Sequence, residues 1–171
     1  MHFYDLAKLK GAINVRRATG ENFEALDDKS YTATEADIAI TDDSGILGLG
    51  GIVGGTTTGC DENTTDILIE SAYFDPLTIR RSAKRMAVNS DAKYRFERGV
   101  DTGGLIDGAE LATRMVLDIC GGEASEIKIA GAIPADPPSI KFDTALNERL
   151  TGLKLSDKAV SYTHLTLPTK A

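Results

Sequence analysis

One carboxylate is set apart by its neighbours. In DILIESAYF, residues 66–74, strand alternation puts Leu68, Glu70, Ala72 and Phe74 on one face and Ile67, Ile69, Ser71 and Tyr73 on the other. Glu70 therefore shares an apolar face, where a carboxylate needs a partner or has its pKa raised. Two fates are open to it: an ion pair with a nearby arginine, the usual end of a buried charge, or service as acceptor for a ligand's hydroxyl or amine. Upstream, Gly48, Gly50, Gly51, Gly54, Gly55 and Gly59 crowd into a short stretch. Val53 stands where a dinucleotide fingerprint needs its third glycine, and GGIVGGT lacks the lysine of a nucleoside-triphosphate loop. Tight β turns and close backbone packing account for such glycines, and a ligand approaching the backbone is the other use. His2 is either a solvated terminal side chain or a functional group whose role its neighbours do not specify. His2, His164, Cys60 and Cys120 assemble no nucleophilic set and no metal-ligand spacing.

Charge supplies a second candidate. The chain has a formal net charge of −7, yet between Arg80 and Arg98 seven basic residues meet two acidic ones. Overall acidity argues against a general nucleic-acid coat, but screening over roughly 8–10 Å at physiological salt leaves a local basic patch intact. Asp75 can cap a helix that begins at Pro76. Ile79, Ala83 and Met86 then recur at helical spacing, and Arg80, Arg81, Lys84 and Arg85 share the adjacent face. That face is solvated, paired internally with Glu97, Asp101 or other acids, or bound to phosphate, whose oxygens match arginine forks.

The elements that must position these groups are short. Strands are expected over Ile13–Ala18, around Ile38–Ile40, over Gly45–Gly55 with a bend or tight turn, over Asp66–Phe74 and over Ile127–Ile133. After a turn at Asn89–Asp91, KYRFERG alternates, with Tyr94 and Phe96 on one side and Lys93, Arg95 and Glu97 on the other. A long helix is expected from about Gly103 to Cys120, stopped by Gly121 and Gly122. Three prolines in Pro134–Pro138 mark a linker. A strand, a helix and a helix capped by Ser156 should follow. The final stretch SYTHLTLPTKA, residues 161–171, continues none of these patterns and reads as a non-native tail. No apolar run is long enough to span a membrane. Cys60 and Cys120 read as free thiols of a reducing cytosol.

Several segments together resemble the bacterial phenylalanyl–tRNA synthetase beta chain in its B3/B4 editing domain. They are MHFYDLAKLKG, DIAITDDSGILGLGGIVGG, TTDILIESAYFDPLTIRRSAKRMAVNSDAKYRFERGVD and LATRMVLDICGGEA. The run ESAYFDP followed by SDAKYRFERGVD is the most specific of them. The resemblance implies an α+β fold, with a β-rich, barrel-like core of mixed sheet and flanking helices. Residues 1–135 would be the editing domain, truncated at its N-terminus, and 136–160 a linker and the beginning of a B5 domain. A cytoplasmic ligase of protein synthesis would be the parent, working as an α2β2 tetramer with the synthetase alpha chain and tRNA(Phe). Its ATP and magnesium would be used outside this region, so no cofactor is expected here.

The resemblance also implies roles. A pocket shaped for phenylalanine rejects tyrosine poorly, and a second site hydrolyses the mischarged ester. Glu70 matches the family position that accepts a hydrogen bond from the tyrosine phenol. Gly54, with Gly55 beside it, matches the glycine that leaves room for the aminoacyl group. Ala92 matches a small pocket wall, and Ser90 stands where the family commonly has threonine. His2 matches the histidine near the scissile ester, although the following Phe3-Tyr4-Asp5 departs from the usual Ala-Phe-Asp. Arg80, Arg81, Lys84 and Arg85 would guide the acceptor end of tRNA, with internal pairing as the competing use. A non-catalytic RNA-binding or subunit-scaffold module is the alternative reading of the whole.

Overall fold

The structure is a computed structural model that describes residues 1–132, 134, 141, 143–156, 158, 159, 161 and 162. In chain order its strands are β1 (His2–Asp5), β2 (Asn14–Arg17), β3 (Asn22–Glu24), β4 (Ser30–Thr32), β5 (Ile38–Asp42), β6 (Gly45–Leu49), β7 (Val53–Gly54) and β8 (Ile67–Glu70). The helices are α1 (Pro76–Arg85), α2 (Asp91–Phe96), α3 (Leu105–Cys120) and α4 (Thr144–Thr151). The chain divides into two units, Met1–Pro134 and Ala135–Ala171.

In the first unit every pairing is antiparallel. One sheet has the order β2-β5-β6-β7, and β1-β8 and β3-β4 form two-stranded sheets. The fold is thus mixed α/β with flanking helices, but the expected barrel-like core is not formed. The largest sheet has four strands and ends in the two-residue β7, too few to curl back on themselves when closure ordinarily takes about eight. Ala39, Ile40, Leu47 and Leu49 from the central strands pack with Tyr4, Phe74, Ile79 and Ala83 in one buried cluster.

Local chemistry explains most elements. The Asp75 side chain accepts from the Thr78 N–H at 2.7 Å and Pro76 opens α1, while Ile79, Ser82 and Ala83 face the core. Gly45–Gly55 is a hairpin: Gly51 turns it with φ +68, and Gly48 faces Gly54 so closely that a Cβ on Gly48 would lie 2.9 Å from the Gly54 Cα. Close packing is therefore what these two glycines serve. Helix α3 ends at Gly121, as expected, but buries only Ala112 fully. Ser71 ties it down by donating to the Leu105 carbonyl at 2.8 Å.

Three expectations are corrected. Residues 91–96 are a helix, not an alternating strand, because Ser90 caps them by accepting from the Lys93 N–H at 3.0 Å. Tyr94 consequently stands 60% exposed while Phe96 packs on Phe74. The strand over Asp66–Phe74 ends at Glu70, since β1 pairs with it only that far. Residues 127–132 form no strand; among the described residues none pairs with them, and Ile127 and Ile129 are exposed. The hairpin β3-β4 and strand β1 were not expected from the sequence.

In the second unit the expected helix is α4. The Asp143 side chain accepts from the Ala145 N–H at 2.9 Å, and Gly152 closes it in the left-handed conformation. The Ser156 hydroxyl accepts from the Ala159 N–H at 3.2 Å, as a cap does. Most of the proline linker, the strand expected around Ile140 and all but the first two residues of the supposed tail lie outside the described residues.

Candidate functional site

The register of β1 on β8 sets His2 opposite Glu70 and Tyr4 opposite Leu68. By alternation these four side chains share one face. There the Tyr4 hydroxyl donates to Glu70 Oε2 at 2.7 Å, and the His2 and Tyr4 ring centroids lie 4.4 Å apart. Glu70 is half-buried. The arginine that the strand pattern allowed as its partner is not there: among the described residues no lysine or arginine pairs with it, and a neutral phenol takes that place.

His2, Gly54, Glu70, Ala72, Phe74 and Ala92 line one cavity of about 70 Å³, with Tyr4, Phe96 and Met1 also on its wall. A cavity that holds benzene measures about 150 Å³, so an aromatic ligand must displace part of this wall. Met1, exposed at the rim, is the unbranched side chain best able to yield. The space that the missing side chain of Gly54 leaves is filled by the His2 imidazole, and a methyl there would overlap its Cε1 atom.

The His2 Nε2 is buried, and among the described residues none is its hydrogen-bond partner. Burial holds its pKa below the usual imidazole value, with the Glu70 carboxylate pulling the other way. At neutral pH the ring is therefore uncharged, able to donate or accept one hydrogen bond but not to act as a fixed cation. Burial, and then the charge and hydrogen bond of Glu70, push the Tyr4 phenol far above its ordinary value. Tyr4 thus remains a donor at any physiological pH.

The other expected residues are placed apart from the cavity lining. Ser90 donates to the Ile52 carbonyl at 2.6 Å besides capping α2. Its hydroxyl is occupied in anchoring the helix start to the β6–β7 turn, which is what brings Ala92 to the cavity. Gly55 is buried and donates its N–H to the Leu47 carbonyl at 2.7 Å. A Cβ at Gly55 would lie 2.6 Å from that oxygen, so it shapes the hairpin.

The basic helix splits in two. Arg80, Arg81 and Lys84 are exposed and make none of the ion pairs found among the described residues. Arg85 pairs with the fully buried Asp37, which also accepts from the Thr34 N–H at 2.7 Å. The internal partners expected for this face were Glu97, Asp101 or other acids, and Asp37 is such an acid for Arg85. Glu97 instead takes Arg98 at 2.7 Å and Lys93 at 3.4 Å, both closer in sequence. Among the described residues no group of three or more His, Cys, Asp or Glu side chains gathers as metal ligands do, and no helix is long and apolar enough to cross a membrane.

Sequence reasoning passed over Tyr4. Its signal was the spacing of His2 and Tyr4, two residues apart, which matters only once residues 2–5 are read as a strand.

Comparison with known proteins places the chain in a family. The profile of the B3/4 domain matches residues 1–121. The phenylalanine–tRNA ligase beta subunit of Rhodospirillum rubrum is 50% identical over 155 residues, which is 90% of this chain and 19% of that protein. That of Mesorhizobium japonicum is 46% identical over 156 residues, 91% of the chain and 20% of the protein. That of Ruegeria pomeroyi is 44% identical over 158 residues, 92% and 20% respectively. The chain spans about a fifth of the length of these curated relatives.

Proposed function

The chain belongs to the B3/4 domain family, and from that premise we propose that it is the part of a phenylalanine–tRNA ligase beta subunit that hydrolyses tyrosine wrongly esterified to tRNA(Phe). The observation that carries this reading is Glu70, a carboxylate on the wall of a cavity with one oxygen held by Tyr4 and, among the described residues, no lysine or arginine paired with it. Such a group rewards a ligand that brings one further hydroxyl. Tyrosine does so and phenylalanine does not, leaving the acceptor unsatisfied.

The reaction needs little from the protein beyond placement. Water adds its oxygen to the ester carbonyl carbon, the bond from that carbon to the ribose oxygen breaks, and the proton ends on the ribose oxygen. Glu70 recognises the side chain and is not the base. Neutral His2, fixed between Gly54 and Tyr4, orients the ester or the attacking water through its Nε2. Ala92 keeps the wall small. Arg80, Arg81 and Lys84 attract the acceptor end of the tRNA, while Arg85 is committed to Asp37. The parent would work in the cytoplasm as an α2β2 tetramer with the alpha chain, and its ATP and magnesium chemistry would belong to other domains.

Deacylation of tyrosyl-tRNA(Phe) and phenylalanyl-tRNA(Phe) tests the reading. The native chain should prefer the tyrosyl ester, and Glu70→Ala should cut that preference by about 10- to 100-fold, the range for a hydrogen bond to a charged group. Arg80, Arg81 and Lys84, exposed and making no ion pair among the described residues, favour a second reading, an RNA-binding module without catalysis. It prevails if Arg80→Ala with Arg81→Ala weakens tRNA binding while Glu70→Ala changes no hydrolysis.

A further inference from the structure

Tyr4 has no part in the reading above beyond occupying one oxygen of Glu70, yet its placement is specific. It is 2% exposed, its backbone is paired to β8, and its ring lies against His2. A glutamate side chain has three rotatable bonds, and Glu70 is the last residue of its strand. Without a tether its carboxylate would sample many positions at the cavity wall. The phenol of Tyr4 reaches across the sheet and holds Oε2 at 2.7 Å. A carboxylate accepts at both oxygens, so one oxygen anchored to the core leaves Oε1 as the acceptor for a ligand. A phenylalanine at this position would fill the same volume and provide no tether.

Resting on the editing reading, we infer that Tyr4 is a positioning residue for substrate choice: its hydroxyl fixes Glu70 so that the remaining oxygen meets the phenol of a tyrosyl ligand. Tyr4 acts through Glu70 and touches no reacting atom. Because its ring belongs to the core, the hydroxyl does not leave to make way for the ligand, and both phenols are held on one carboxylate at once. Burial and the adjacent carboxylate also keep the Tyr4 phenol protonated, so the tether persists over the working pH range.

The internal control is Tyr31, a second buried tyrosine, which donates to Asp27 at 2.6 Å and takes no part in lining the cavity. The probes are 3′-tyrosylamino- and 3′-phenylalanylamino-3′-deoxyadenosine, non-hydrolysable amides of the charged tRNA end, titrated into the native chain and its variants by calorimetry. The native chain should bind the tyrosyl probe more tightly. Tyr4→Phe should lower the tyrosyl-to-phenylalanyl preference about fivefold, as expected for loss of one oriented hydrogen bond, with phenylalanyl affinity unchanged. Tyr31→Phe should leave the preference untouched while its thermal midpoint falls comparably to that of Tyr4→Phe, so that loss of stability alone cannot explain a change in choice. An unchanged preference in Tyr4→Phe overturns the inference and leaves Tyr4 as packing. A raised preference overturns it by making Tyr4 a competitor of the ligand. These two outcomes stand apart from failure of the editing reading itself, in which Glu70→Ala retains the native preference or the native chain has none, and the inference about Tyr4 falls with it.

Discussion

Two regions of the first unit give their carboxylates different partners. Around the β3-β4 hairpin and the turn into β5, Asp27 and Asp37 each have a cation beside them. Asp27 accepts from Tyr31 and has Lys29 at 3.6 Å, and Asp37 accepts from the Thr34 N–H and pairs with Arg85. On the β1-β8 face, Glu70 accepts from one phenol 66 residues away in sequence and, among the described residues, pairs with no lysine or arginine. The first arrangement closes turns and docks α1. The second sets Glu70 on a cavity wall with a phenol as its partner.

The contrast can be broken most severely at its compensated end. Arg85→Ala strands Asp37 in the core without its cation and should cost about 2–3 kcal/mol of stability, somewhat below the usual range for a fully buried pair because Arg85 is partly exposed. Urea denaturation measures this, and preference between tyrosyl and phenylalanyl esters should survive in the folded fraction. Gly54→Ala strikes the recognition face instead. The added methyl displaces the His2 ring, so hydrolysis of both esters should fall at least about tenfold, while overpacking costs roughly 1–3 kcal/mol. Tyr31→Phe should lower the thermal midpoint by only about 2–4 °C and leave catalysis alone.

Acidification gives the smallest effect and separates the two regions by pH. The hydrogen bond from Tyr31, aided by Lys29, holds Asp27 below its ordinary value of 3.8. Its contribution is present above that value and is lost as pH falls through the lower folded pKa. His2 is also held below its ordinary value, 6.5, but here the neutral form is favoured by folding. The unfolded chain takes up the proton first, so stability begins to decline just below pH 6.5 and stops declining below the folded pKa. A pH series of thermal midpoints should show a shallow early loss that His2→Asn removes, followed by a later loss that it does not alter.

What could be read from the residues beforehand depended on range. Helix α1 was legible because its cap, its proline and its apolar spacing all lie within a dozen residues. The inward face of Glu70 was legible from alternation alone. Helix α2 was misread because six residues are too few to tell a period of 2 from one of 3.6, and Ser90 as a cap had to decide. The three-residue strands β3 and β4 carry almost no periodic signal. Pairings such as Arg85 with Asp37 or Tyr4 with Glu70 join residues 48 and 66 positions apart, and no local pattern announces them. The candidate site residues came from resemblance to a family. That His2 and Glu70 face each other came only from the register of β1 on β8.

The central claim is that Glu70 tells two amino acids apart by a single hydroxyl, and a two-by-two cycle measures it most directly. kcat/KM is determined for tyrosyl- and phenylalanyl-tRNA(Phe) with the native chain and with Glu70→Ala, and the coupling between the carboxylate and the substrate hydroxyl is taken from the four values. The account requires a favourable coupling of at least about 1.5 kcal/mol. A coupling of zero, with the substitution slowing both esters equally or neither, would contradict it.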